Sequence, residues 1–147
     1  MTSHEDQITF DALSFLAKIG GQLDAFRTQL KQAANLHATS FVECRTYGSE
    51  VYVCVCLEAD VADDKTLTWW LDIVPKPEGW LIEASVLWNG RELVAQIPAQ
   101  VVHDFQAVQH EVPRLLRHLL DAGGAALAQS RSKVKPEPDE LHTRALE

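Results

Sequence analysis

The chain has 147 residues, 46% of them hydrophobic and 23% charged, with 21 acidic against 13 basic side chains and a formal net charge of -8. A chain of this size buries about two-thirds of its unfolded surface in one core, which excludes a wholly disordered, collagenous or repetitive polymer. The negative balance argues against nucleic acid as a main partner, no apolar run reaches the ~18 residues of a membrane helix, and Met1–Gln7 is polar and acidic, unlike a signal peptide.

The first long segment has helical period. Leu16, Ile19, Leu23, Phe26, Leu30 and Ala33 recur at spacings of three and four, so they share one stripe of a helix expected over about 11–36. Thr9 or Asp11 is the expected N-cap. Gly20-Gly21 interrupts the stripe and predicts either a bend or the close approach of another backbone.

Over residues 41–97 the period changes to two, and ten acids against four bases concentrate most of the excess charge there. Val42-Cys44-Thr46 and Val51-Val53-Val55-Leu57 flank the turn Tyr47-Gly48-Ser49-Glu50. Leu67-Trp69-Leu71-Ile73 follows, then a turn at Pro75–Gly79, then Trp80-Ile82-Ala84-Val86-Trp88. Asn89-Gly90 is a strong type I′ signal, because that turn needs positive φ at both central residues. It leads into Leu93-Ala95-Ile97, giving a five-stranded antiparallel meander. A two-residue loop at Asn89-Gly90 sets Val86 opposite Leu93 and Ile82 opposite Ile97. Placing Val74 opposite Gly79 sets Leu71 opposite Ile82 and Trp69 opposite Ala84. Both registers put the apolar residues on one face, and a one-residue slip would break that agreement.

Pro98 suits the first turn of a second helix, with Val101, Phe105, Val108, Val112, Leu115 and Leu119 as its stripe. Pro113 should kink or split this helix, and Gly123-Gly124 should end it. Residues 129–147 are charged, aperiodic and proline-containing, and read as a flexible tail. The expected fold is therefore α+β, one domain over 1–128, with both helices on one face of the sheet.

The other face is unusual. By alternation it carries Glu43, Arg45, Tyr52, Trp70, Asp72, Leu81, Glu83 and Leu87, with Cys54, Cys56, Thr68, Ser85, Val94 and Gln96 between them. Adjacent strand residues point oppositely, so Trp69 and Trp70 cannot enter the same core. A surface mixing apolar groups with carboxylates has the character of a partner-binding face, and three coverings are open: the chain's own helices, a second copy, or another molecule.

Other constellations read as ordinary structure. Three cysteines without a secretory leader suggest reduced thiols in a cytoplasm. Cys54-Val55-Cys56 lacks the four ligands of a closed zinc site, and Cys44 falls on the opposite face. His103, His110 and His118 are expected on the second helix without the spacing of a metalloprotease pair. Asp60, Asp63 and Asp64 lack the order of a calcium loop. Ser130–Lys133 matches Ser-x-x-Lys without its companion motifs, and neither a nucleophile elbow nor a phosphate-cradling loop is present. No metal and no cofactor are expected.

The favoured expectation is a non-catalytic cytoplasmic protein-interaction domain, small and acidic in the manner of secretion chaperones or immunity proteins, binding a basic partner with Trp70 as anchor. One alternative is a small-molecule or acid–base pocket between the first helix and the sheet, lined by Phe26, Trp69, Trp80 and Trp88. The other is a homodimer formed through the second face, with no separate partner.

Overall fold

The computed structural model describes the backbone of residues 3–134 and the side chains of residues 3–130. In chain order the elements are α1 (His4–Ala34), β1 (Ala38–Tyr47), β2 (Glu50–Ala62), β3 (Lys65–Lys76), β4 (Gly79–Trp88), β5 (Glu92–Val102) and α2 (Phe105–Val134). The strands form one antiparallel sheet in the order β1-β2-β3-β4-β5. The α+β meander flanked by helices is thus the architecture read from the sequence.

Helix α1 starts earlier than its apolar stripe suggests. Ser3 is the N-cap, accepting a hydrogen bond from the Asp6 N–H at 3.1 Å, and Glu5 and Asp6 place acid in the first turn. Neither Thr9 nor Asp11 caps: the Thr9 hydroxyl donates to the Glu5 carbonyl, and the Asp11 carboxylate accepts from the Gln7 amide within the helix. The first turns project where Ile8, Phe10 and Leu13 stay exposed, so hydrophobic periodicity gives no sign of them. Phe15, Ile19, Leu23 and Leu30 are buried, while Leu16 lies outside the stripe. Gly20-Gly21 runs through as helix, and among the described residues a Cβ at either position would meet nothing within 4 Å, so no neighbouring backbone approaches there. Asn35 ends the helix in the left-handed region at φ 54°, and its N–H bonds back to Leu30 and Lys31.

The strand registers differ from expectation in an instructive way. Between β3 and β4 the pairs are Trp69 with Val86, Leu71 with Ala84 and Ile73 with Ile82, two residues away from the pairing expected. The loop shrinks to Pro77-Glu78, because Pro75 and Lys76 belong to the strand. Pro75 lies beyond the last β2–β3 pair, at Val53–Ile73, so its missing N–H breaks no bond to β2. A slip of two keeps every side chain on its face. Between β4 and β5, Asn89 and Gly90 take the expected positive φ of 52° and 68°, and the Arg91 N–H bonds the Trp88 carbonyl at 3.0 Å, but the loop holds three residues rather than two and closes on the Trp88–Glu92 pair. Leu87 therefore faces Leu93, and two bulges farther along set Val86 opposite Ala95, Ala84 opposite Ile97 and Ile82 opposite Gln100.

Pro98 does not open a helix. It lies in β5, an edge strand, beside the bulge between Ile82 and Ala84, where the absent N–H is tolerated. Val101 likewise belongs to β5, and His103 sits in the bend that follows it. Asp104 provides the cap of α2 by accepting from the Ala107 N–H at 2.8 Å. Pro113 does not split this helix; its carbonyl accepts from the Gln22 amide of α1 at 3.0 Å. Gly123-Gly124 does not end it either, and the helix continues through the Ser130–Lys133 motif to Val134. The rest of the expected tail, residues 135–147, lies outside the described residues.

Val108, Val112, Leu115, Leu116, Leu119, Leu120 and Leu127 of α2 join the α1 stripe over Val55, Leu57, Leu67, Trp69, Leu71, Ile82 and Val86. Burying each such side chain is worth about 1.5–3 kcal/mol. Both helices therefore cover one face, and among the described residues no helix or loop crosses the other.

Candidate functional site

The neighbouring tryptophans diverge. Trp69 points into the core at 1% exposure, edge-on to Phe26 with ring centroids 5.3 Å apart. Trp70 lies half-buried on the uncovered face, where its indole N–H donates to the Asp72 carboxylate at 2.8 Å.

Strand pairing assembles the face in rows. Glu43, Cys54, Asp72 and Glu83 form one row, and Phe41, Cys56, Trp70, Ser85 and Gln96 form the next. Arg45 pairs with Tyr52, Leu81 with Val74, and Leu87 with Thr68. The eight residues read from the sequence as a binding set thus share this face, with Trp70 and Asp72 near its centre and the two leucines on either side. Arg45 connects them. Its guanidinium carbon lies 5.2 Å from the Trp70 ring centre and 5.1 Å from that of Phe41, and its Nε donates to Glu43. The Tyr52 side chain also bonds Arg45.

Asp72 receives a second hydrogen bond from the Cys54 thiol, and the charge of Arg45 also favours its ionised form. Burial outweighs all three and holds its carboxyl above the usual aspartate range. The raised value means that protonation favours the folded state. Asp72 supports folding below the ordinary carboxylate range, and that support is lost as pH rises through its folded value. Asp72→Asn is therefore expected to exceed wild type in stability at neutral pH, with the gain vanishing in acid. Urea unfolding across pH checks this, and a wild type that is the more stable at neutral pH contradicts it.

The thiols beneath are inert. Burial, reinforced by the charge of Asp72, pushes Cys54 up to about 12, and burial with Glu58 pushes Cys56 to about 11. Neither presents a thiolate for nucleophilic or ligand chemistry near neutrality. Cys44 is exposed and on the opposite face. Among the described residues no three His, Cys, Asp or Glu side chains converge to hold a metal ion, and no described helix is long and apolar enough to cross a membrane.

Two grooves flank Trp70. One, of about 220 Å³, is lined by Asp72, Glu83, Ser85 and Gln96; the other, of about 380 Å³, by Glu58, Thr68 and Leu87. A larger cleft of about 450 Å³ at the α1–β1 corner is lined by Asp24, Arg27, Lys31 and His37, and its Asp24–Arg27 ion pair is largely exposed. The aromatics considered as a pocket lining do not converge: Trp69 meets Phe26, Trp80 meets Phe105, and Trp88 lies under the Lys65 ammonium at 4.3 Å.

The face also holds groups that sequence reasoning missed. Phe41 precedes the expected start of the first strand, and one further step of the same alternation reaches it. Leu93, 55% exposed, lies on this face opposite Leu87, while Val94 packs against the core, reversing the assignment of that pair. The loop Asn89–Arg91 has three residues, which turns Leu93 onto this face, and the bulge at Val94 restores the expected facing from Ala95 onward. Acids outnumber bases here: Glu43, Glu50, Glu58, Asp60, Asp72 and Glu83 face Arg45 and Lys76. Both cations are engaged already, Arg45 with Glu43 and Lys76 with Glu50 at 2.7 Å. No protein-family model, curated protein sequence or solved structure matches the chain.

Proposed function

We propose that the chain is a non-catalytic protein-interaction domain that seats a basic, partly apolar segment of another protein on its uncovered sheet face. The observation that carries this reading is Trp70, a large half-buried ring held in place by Asp72 and Arg45 and flanked by Glu58 and Glu83, which form no ion pair among the described residues. Tryptophans in such settings supply much of the energy of interfaces, and a fixed ring loses little entropy on binding. The surplus of Glu58, Asp72 and Glu83 favours Lys or Arg on the partner and speeds encounter with it. It also disfavours a second copy of the same face, which would set carboxylate against carboxylate.

The test is capture of partners from cells that make the protein, comparing wild type with Trp70→Ala/Asp72→Lys. The double variant is expected to lose at least about 2 kcal/mol of affinity, roughly thirtyfold, and wild-type binding is expected to weaken with salt. Equal recovery of the same partners by both proteins would end this reading.

A further inference from the structure

The two edges of the sheet are unlike. β5 carries Pro98 and two bulges, features that obstruct the addition of another strand. β1 pairs with β2 through all ten residues without a register shift and contains no proline. Three observations fix which of its backbone groups point outward. The two-residue turn Gly48-Ser49 closes on the Tyr47–Glu50 pair, the Asp60 N–H bonds the His37 carbonyl at 2.9 Å, and Arg27 Nε reaches the Ala38 carbonyl from outside at 3.0 Å. Odd-numbered residues of β1 therefore bond β2, and Ser40, Val42, Cys44 and Thr46 turn their N–H and C=O groups away from it. Among the described residues nothing bonds these four.

We propose that β1 pairs antiparallel with β1 of a second copy about a two-fold axis at Cys44, fusing two five-stranded sheets into one. Side-chain chemistry selects this axis from its neighbours. An axis at Glu43 sets that carboxylate against itself, and an axis at Arg45 does the same with guanidinium. An axis at Val42 needs the Ala38 carbonyl, which Arg27 already holds. An axis at Cys44 sets Glu43 opposite Arg45 of the second copy and Phe41 opposite its Tyr47, each twice by symmetry. Phe41 is 36% and Tyr47 79% exposed in the single chain, so both aromatics gain a partner. The backbone groups of Val42, Cys44 and Thr46 supply the ladder. This contact uses the edge and leaves the Trp70 face open, so it stands independently of the partner-binding reading.

Sedimentation equilibrium on the full chain tests the pairing, with the wild type expected to be dimeric. Cys44→Pro removes an N–H that β2 does not use, so it is expected to sediment as a monomer with unchanged circular dichroism. Glu43→Arg and Arg45→Glu should each weaken the dimer at least about tenfold, and the double exchange Glu43→Arg/Arg45→Glu should restore it, since cross-strand pairs of like charge repel. If Cys44→Pro fails to fold, the charge exchange decides. A wild type that remains monomeric at all concentrations, a dimer that survives in folded Cys44→Pro, or a double exchange that fails to recover association overturns the proposal.

Discussion

Trp69→Ala is expected to cost about 3–5 kcal/mol of stability, while Trp70→Ala, one residue away, is expected to cost about 1 kcal/mol or less. The contrast follows from the pleat. Trp69 fills space between β3 and both helices, touching Phe26 of α1 and lying under Gly123 of α2, so its removal leaves a cavity in rigid surroundings. Trp70 loses one hydrogen bond and the Arg45 contact on a face that water already reaches. Paired urea denaturation curves measure the difference directly. Similar losses for the two variants would mean that the second ring is a structural group, and the binding proposal would lose its anchor.

Gly123→Ala is expected to destabilise by about 1–3 kcal/mol, against the gain of roughly 1 kcal/mol that the same change brings in an open helix. A methyl group at Gly123 would stand 2.8 Å from Cζ2 of Trp69 and closer still to Cε2 and Nε1. Either the helix lifts from the sheet or the indole leaves its rotamer. Among the described residues the buried indole nitrogen has no hydrogen-bond partner, so shrinking this ring forfeits no polar contact there. Trp69→Phe should therefore recover part of the loss caused by Gly123→Ala, and a double-mutant cycle should show coupling of at least about 0.5 kcal/mol. Additive effects would place the strain elsewhere. At Gly20 and Gly21 alanine meets nothing, and there the substitution should stabilise.

That difference between glycines shows what sequence could and could not convey. Gly123-Gly124 and Gly20-Gly21 look alike as helix interruptions, yet one pair lies against an indole and the other against open space. Only the three-dimensional neighbour separates them. Alternation placed Trp69 and Trp70 on opposite faces because side-chain direction has a period of two, a purely local property. It could not choose strand partners, since sliding β4 by two residues along β3 leaves every residue facing as before. That choice lay with the loop at Pro77-Glu78, where two prolines obscured the end of the strand. The third loop residue, Arg91, and the bulge at Val94 left no pattern to read, and together they exchanged the environments of Leu93 and Val94. Asp72 and Trp70 were identifiable as a pair from their spacing, whereas the closure of the site by Arg45 over Phe41 depended on β1 lying two strands away.

The meander also shapes how the molecule is made. Every strand pairs with its neighbours in sequence, so the whole sheet can zip from short loops, which lowers contact order and favours rapid folding. Its lock is remote: Gln22 reaches Pro113, Gln109 reaches Asp11, and Phe15 meets Phe105. During synthesis the oily side of the pleated layer therefore waits, half clothed by the first helix, until the last helix leaves the ribosome. A chain halted before Phe105 would carry five competent strands with only the first helix over Leu67, Trp69 and Ile82, which marks truncation there as a route to aggregation.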